Sequence, residues 1–118
     1  MAKVLLVDDD ADTLEIRKLI LEHSGHQVSA SASPSDARKQ FHADPPQSVI
    51  LDLRLPNPED GIALIREFRA ASPTVKIIVL AGCCADLDGR SERALADLIL
   101  SKPVRSEVLL TACRTQIA

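Results

Sequence analysis

The feature that most constrains the fold is a regular alternation of short apolar runs and helix-like segments. The runs predict five strands, which lie at residues 3–7, 26–30, 48–52, 75–81 and 98–101. Segments with apolar side chains at helical spacing follow them and predict five helices, at residues 11–24, 33–44, 62–71, 87–96 and 106–117. Alternation of this kind with short connections predicts an α/β domain whose parallel sheet is covered on both faces.

The first predicted helix carries apolar side chains on more than one face. Ile16, Leu19 and Ile20 are spaced to share a face, which predicts that they point into the core. Leu14 and Leu21 then lie off that face, where they either dock a partner or pack on a neighbouring helix.

Two other segments are less regular. Residues 56–61 contain two prolines and predict a loop. The predicted helix at 87–96 carries Gly89 and only a thin apolar face, so the sequence specifies it weakly.

Composition limits the function classes that remain. The 118 residues form one domain of ordinary size, and a net charge of −3 argues against nucleic acid or an anionic membrane as direct partner. The longest apolar stretch, 77–85, is too short to span a bilayer. Strand character begins by Val4, which predicts a cytoplasmic protein without a signal peptide. The cysteines Cys83, Cys84 and Cys113 lack a zinc-like spacing and are predicted to be reduced thiols.

Charged side chains stand at or just after the ends of several predicted strands. Asp8 and Asp9 follow the first strand, Asp52 ends the third, and Lys102 follows the fifth. The carboxyl ends of parallel strands meet at one edge of a doubly wound sheet, where ligands bind. Two carboxylates ~4 Å apart repel by about 4 kcal/mol at an effective dielectric of ~20, so such a site requires a cation or a proton.

Motifs along the whole chain resemble the receiver domain of two-component response regulators. The motifs are Val-Asp-Asp-Asp at 7–10, Leu-Asp-Leu-Arg-Leu-Pro at 51–56, Asp-Gly at 60–61, Ile-Ile-Val-Leu-Ala-Gly at 77–82 and Ser-Lys-Pro at 101–103. The resemblance implies a single receiver domain over 1–118 with a flavodoxin-like fold, a doubly wound five-stranded parallel sheet of order 2-1-3-4-5 with five helices.

The resemblance also implies the roles of the charged residues. Asp52 is the expected phosphoacceptor. It is expected to receive its phosphoryl group from a sensor histidine kinase or a phosphotransfer protein. Asp9 is the expected direct ligand of Mg²⁺ (or Mn²⁺), Asp8 assists through water, and the backbone carbonyl of Arg54 completes the protein ligands. Lys102 is expected to pair with the acceptor carboxylate and then with the phosphoryl oxygen. These residue types suit phosphoryl transfer, which requires positioning and charge neutralisation.

Four further positions follow from the same resemblance. Pro103 is expected after a cis peptide bond, and Gly82 leaves room for the phosphodonor. Two switch positions depart from the family pattern: Ala81 stands where a Thr or Ser hydroxyl is usual, and Ile99 stands where an aromatic residue is usual. A hydrogen bond to a charged group contributes about 1.5–3 kcal/mol. Without it, the readout of phosphorylation is expected to be atypical.

The expected function is therefore a signalling switch that catalyses its own phosphorylation and dephosphorylation and is not a turnover enzyme. Its expected output is a downstream protein target or a removed output domain, and a homodimer is compatible with this function. One alternative is a phosphorylation-independent pseudo-receiver that serves as a protein-binding scaffold, which Ala81 and Ile99 favour. Another is a redox sensor at Cys83 and Cys84, although adjacent cysteines rarely bridge without strain.

Overall fold

A five-stranded sheet forms the centre of the molecule, as the apolar runs predict. The computed structural model describes residues 3–55, 57–82, 87 and 89–117, with side chains as far as residue 113. The strands are β1 (Lys3–Val7), β2 (Gln27–Ser31), β3 (Ser48–Asp52), β4 (Lys76–Ala81) and β5 (Leu98–Ser101). All paired strands are parallel, and their order is β2-β1-β3-β4-β5. The predicted fold class and strand order are confirmed.

Helices cover both faces of this sheet. The described residues form four α-helices, α1 (Ala11–His23), α2 (Pro34–Ala43), α3 (Pro58–Ala71) and α4 (Ser106–Ile117). Because side chains alternate along a strand, each central strand contributes to two hydrophobic cores. One core joins α2 and α3 to one face of the sheet, and the other joins α1 and α4 to the opposite face. Phe41 of α2 stacks on Phe68 of α3 with ring centroids 4.2 Å apart.

The buried face of α1 is not the face predicted from its apolar spacing. Leu14 and Leu21 are buried, whereas Ile16 and Leu19 are 58% and 60% exposed. The prediction was wrong because the inward stripe also contains Arg17, and a charged residue made that stripe look like surface. Leu14 and Leu21 belong to the core shared with α4, so they pack on a neighbouring helix and are not available to a partner.

The third helix begins earlier than predicted. The segment treated as a loop contains the first helical turn, because α3 starts at Pro58. Proline at the first helical position is favourable, since its missing N–H has no intrahelical partner there. Asp60 also caps the start, as its Oδ2 accepts a hydrogen bond from the Asn57 backbone N–H at 3.2 Å.

The helix predicted at 87–96 is replaced, among the described residues, by a short 3₁₀ helix at Ser91–Leu95. Gly89 has a φ of 72°, a left-handed conformation that interrupts a right-handed helix. Leu87 is buried in the core that includes α3 and Leu95 packs against that core, and charged side chains also attach the segment to α3. The predicted count of five α-helices is therefore one too high for the residues described.

Among the described residues, ion pairs join α3 to the segment at 90–97, and we call the following three the α3 clasp. They are Glu59–Arg90 at 2.9 Å, Arg66–Glu92 at 3.4 Å and Arg69–Asp97 at 2.7 Å. Arg69 makes the most extensive connection, because its guanidinium also donates to the backbone carbonyls of Leu95 and Val75.

The thiols and the length of the helices can also be compared with the predictions. Cys113 is a buried free thiol on α4. Cys83 and Cys84, considered above as a redox pair, lie outside the described residues. Within the described part of the chain, no helix combines the length and the apolar character needed to cross a bilayer.

Candidate functional site

The ends of β1 and β3 bring three carboxylates together. Val7 pairs with Leu51, so the residues that follow them emerge at the same edge of the sheet. Oxygens of Asp8, Asp9 and Asp52 all lie within 4.8 Å of one another. Asp8 and Asp52 are buried at 2% and 5% exposure, and Asp9 faces solvent. The carboxylates that the sequence predicted to meet therefore do meet.

Both carboxylate oxygens of Asp52 have hydrogen-bond donors. The Lys102 ammonium donates to Oδ2, and the backbone N–H of Arg54 donates to Oδ1 at 3.2 Å. Lys102 reaches this position from the end of β5, where its backbone N–H donates to the Ala81 carbonyl at 2.9 Å. The Lys102–Pro103 peptide bond is cis. Asp52 is thus held as an oriented, charge-paired carboxylate.

Asp8 is also held by two donors. The Asp10 backbone N–H donates to Oδ1 at 2.9 Å, and Arg17 Nη1 donates to Oδ2 at 2.8 Å. Burial raises the pKa of Asp8 above its ordinary value, and the nearby charge of Asp52 acts in the same direction. The Asp10 hydrogen bond and the charges of Arg17 and Lys102 oppose that rise in pKa.

A cavity of about 550 Å³ opens in front of these carboxylates. Its walls come from the ends of β1, β3, β4 and β5 and from the first two turns of α1. The lining residues are Asp8, Asp9, Asp10, Thr13, Arg17, Asp52, Gly82, Lys102, Pro103 and Val104. Neither histidine nor cysteine is among these lining residues. The donors are therefore hard oxygen ligands, which suit Mg²⁺ or Mn²⁺ better than softer metals.

The other predicted positions lie at the cavity, beside Asp52 or in the adjacent core. Gly82 lines the cavity, and Ala81 is buried beside it at the end of β4. Arg54 is exposed and supplies its backbone N–H to Asp52. Ile99 is half-buried against the core that includes α3, together with Leu95 and Ala96. Both switch positions therefore belong to the core on the α3 side of the sheet, Ala81 as a buried member and Ile99 as a residue packed against it.

Sequence reasoning missed several residues of the site, and Val104 is one of them. Arg17 and Thr13 line the cavity from α1. Gly61 packs α3 against the residue after the acceptor, since a Cβ there would lie 2.0 Å from the Leu53 carbonyl oxygen. The signal for Arg17 was its position three residues after Leu14, on the same side of the helix. That position indicates a site residue only when it is known that the Leu14 face of α1 is buried.

Comparison with known proteins gives one consistent family. Residues 4–114 match the family model described as response regulator receiver domain. The virulence transcriptional regulatory protein PhoP of Salmonella typhimurium is 38% identical over 80 residues, which are 68% of this chain and 35% of PhoP. The regulatory protein VanRB of Enterococcus faecalis is 32% identical over 108 residues, 92% of this chain and 49% of VanRB. The chain thus spans about a third to a half of these relatives.

Solved structures agree with the curated relatives. A response regulator receiver domain protein from Clostridium thermocellum superposes with a TM-score of 0.86 at 28% identity, covering 99% of this chain and 94% of that one. A CheY-like receiver domain protein from Methanospirillum hungatei superposes with a TM-score of 0.89 at 26% identity, with the same coverage of both chains.

Proposed function

This chain belongs to the response regulator receiver domain family, and from that premise we propose that it is a signalling switch phosphorylated on Asp52 by a histidine kinase. The observation that carries the proposal is the position of Asp52. It is a buried carboxylate whose oxygens are oriented by Lys102 and by the Arg54 N–H, and it borders a cavity open to a phosphodonor.

The chemistry is a transfer of one phosphoryl group between two nucleophiles. An oxygen of Asp52 forms a P–O bond as the P–N bond of a phosphohistidine breaks, and the departing imidazole takes up a proton. The Arg54 N–H keeps the carboxylate oriented toward the donor. Lys102 pairs with the carboxylate before transfer and with a phosphoryl oxygen afterwards, so its positive charge stays in the site throughout.

The acidic cluster fits a divalent cation, which we assign as Mg²⁺ or Mn²⁺. When bound, the ion would neutralise part of the charge on the phosphoryl oxygens. Asp9 and Asp8 would hold it together with Asp52 and the Arg54 backbone carbonyl. Water that enters the open cavity and attacks the acyl phosphate would reset the switch, so the chain acts on itself and is not a turnover enzyme.

The readout is proposed to be atypical. Ala81 is buried beside the cavity and has no hydroxyl to bond the phosphoryl group. Ile99 is packed against an apolar core with Leu95 and Ala96. As an aliphatic side chain, it also lacks the polar tip of a rotating tyrosine. Because the missing hydrogen bond would contribute about 1.5–3 kcal/mol, the phosphorylated state loses about tenfold to a hundredfold of its population bias.

The partners follow from the same proposal. The phosphodonor is a sensor histidine kinase or a phosphotransfer protein in the cytoplasm. The output is a downstream protein or an output domain joined to the receiver, and a dimer of receivers is one form in which the output could act. PhoP, which is similar over 80 residues, is itself a transcriptional regulatory protein.

The test is phosphorylation in vitro followed by intact mass measurement. The chain is incubated with Mg²⁺ and acetyl phosphate, and we expect the mass of one phosphoryl group to be added. Asp52→Asn is expected to remove the adduct, whereas Asp36→Asn, at an exposed acid on α2, is expected to keep it. If no phosphodonor yields an adduct, the switch is excluded and the pseudo-receiver scaffold becomes the better explanation.

A further inference from the structure

Arg17 is an unusual residue for the buried face of α1. It lies between the core residues Leu14 and Leu21, and only 14% of its side chain is exposed. A guanidinium in such a position is costly to desolvate unless an anion compensates its charge. Arg17 forms an ion pair with Asp8, whose side chain is only 3% exposed. The two charges therefore form a nearly enclosed ion pair in the wall of the acidic cavity.

This ion pair occupies a carboxylate that the metal would also use. Asp8 Oδ2 accepts from Arg17 Nη1 at 2.8 Å, and Oδ1 accepts from the Asp10 backbone N–H at 2.9 Å. Asp8 oxygens lie within 4.8 Å of those of Asp9 and Asp52, the other members of the acidic cluster. A cation bound by this cluster would therefore share Asp8 with Arg17.

The net charge of the site also indicates that Arg17 opposes metal binding. Three carboxylates face the cations Lys102 and Arg17, so these five groups together carry one net negative charge. Without Arg17 they would carry two negative charges, and a divalent cation would be attracted more strongly. Arg17 thus stabilises the metal-free site and weakens the attraction of that site for the metal.

We infer that Arg17 is a resident counter-ion of Asp8 that competes with the divalent cation for this carboxylate and thereby sets the metal affinity of the site. This inference rests on the proposed function, because it takes the acidic cluster as the metal site. It adds a residue on α1 that tunes how much free Mg²⁺ the switch requires.

The experiment measures Mg²⁺ binding to the unphosphorylated chain by titration calorimetry at mildly alkaline pH and fixed ionic strength. Arg17→Met is expected to lower the dissociation constant for Mg²⁺ by roughly tenfold or more. Arg17→Lys keeps the charge and is expected to stay within about threefold of the unmodified chain. Arg38→Met is the matched control, because Arg38 pairs with Glu67 on the other side of the sheet, and it is expected to change the constant by less than about twofold.

A second measurement uses the unmodified chain, in case Arg17→Met does not fold. The ¹⁵N resonance of the Arg17 side chain is followed during Mg²⁺ titration. We expect it to shift and to saturate with the calorimetric dissociation constant. A resonance that stays unchanged through saturation would overturn the inference.

The possible outcomes separate the inference from the proposed function. If the unmodified chain binds Mg²⁺ and Arg17→Met binds it equally or more weakly, the inference fails and the proposed function stands. If binding is detected only in Arg17→Met, the inference is supported. If neither the unmodified chain nor any Arg17 variant binds Mg²⁺, both the inference and the proposed metal site are overturned.

Discussion

Gly61 connects the start of α3 to the backbone that follows the phosphoacceptor. A Cβ at this position would lie 2.0 Å from the carbonyl oxygen of Leu53 and 2.7 Å from its Cα. Neither atom belongs to a flexible side chain, so either the helix or the acceptor strand must move. We expect Gly61→Ala to lower the free energy of unfolding by about 3 kcal/mol, measured by urea denaturation.

The matched control for this substitution is Gly82→Ala. A Cβ at Gly82 would have no heavy atom of the described residues within 4 Å, so stability should change by less than about 0.5 kcal/mol. Equal stability of Gly61→Ala and the unmodified chain would show that the acceptor strand is less tightly fixed than the packing indicates.

Cys113 is expected to be chemically inert in the folded chain. It is buried on α4, and that burial raises the pKa of its thiol. Alkylating reagents attack the thiolate, which is both scarce and enclosed here. In a chain carrying Cys83→Ser and Cys84→Ser, we expect iodoacetamide to label Cys113 at least about a hundredfold more slowly than in urea. Rapid labelling of the native form would contradict this prediction.

The clasp connects α3 to the segment before β5. Arg69 Nη1 donates to the Val75 carbonyl at 2.8 Å, Nη2 donates to the Leu95 carbonyl at 2.9 Å, and the same group pairs with Asp97. Asp97 Oδ2 also accepts from the Ile77 backbone N–H, so the network extends to the start of β4. Arg69→Met would leave these part-buried acceptors without their shared donor.

We expect Arg69→Met to reduce the free energy of unfolding by about 2–3 kcal/mol in urea denaturation. Arg66→Met is the matched control on the same helix, because its side chain is 60% exposed and its ion pair with Glu92 spans 3.4 Å. An ion pair whose arginine is this exposed contributes at most about 1 kcal/mol. Similar losses in the two variants would show that the buried carbonyl contacts of Arg69 contribute little.

In the proposed switch, we expect the outer face of α1 to receive the phosphodonor protein. Ile16 lies one turn beyond Thr13, which lines the cavity, and both Ile16 and Leu19 are more than half exposed. We expect the double substitution Ile16→Ser and Leu19→Ser to slow phosphotransfer from the cognate kinase by about tenfold or more. Phosphorylation by acetyl phosphate, which needs no docking surface, should be unchanged.

The control for docking is Val108→Ser on α4, a residue that is 44% exposed but is not among the residues lining the cavity. Its phosphotransfer rate should match that of the unmodified chain. If the α1 substitutions leave the kinase reaction unaffected, the donor approaches from another side of the cavity.

At the level of elements, the sequence predicts strands better than helices. Each strand was predicted to within one residue at either end. The reason is clearest for β1, β3 and β4, because buried parallel strands are nearly continuous apolar runs. The helix predicted at 87–96 was wrong because marginal periodicity cannot show that charged side chains will anchor a segment. The carboxylates and Lys102 were predictable because strand ends share an edge, whereas Arg17 required knowledge of which face of α1 is buried.

At the scale of the whole molecule, hydrogen exchange shows which segments change conformation when Asp52 carries a phosphoryl mimic. We expect beryllofluoride, a phosphoryl mimic, to alter hydrogen exchange mainly around the cavity in the unmodified chain, because Ala81 cannot bond the mimic. In Ala81→Thr, the added hydroxyl should extend the change to the backbone of 87–99. Asp52→Asn should show neither change, since it lacks the acceptor carboxylate.

A large change across 87–99 in the unmodified chain would contradict the atypical readout. The α3 clasp and the apolar packing of Ile99 would then move without the usual hydroxyl, and the role assigned to Ala81 would be wrong.

The two cores on opposite faces of the sheet also affect how substitutions combine in their effect on stability. Ile77 and Ile78 are adjacent in β4, yet Ile77 belongs to the core under α3 and Ile78 to the core under α1 and α4. Substitutions in separate cores share few contacts, so their effects on stability should be nearly additive. The face that includes α1 can therefore accumulate mutations and acquire a new partner while the face that includes α3 keeps its packing.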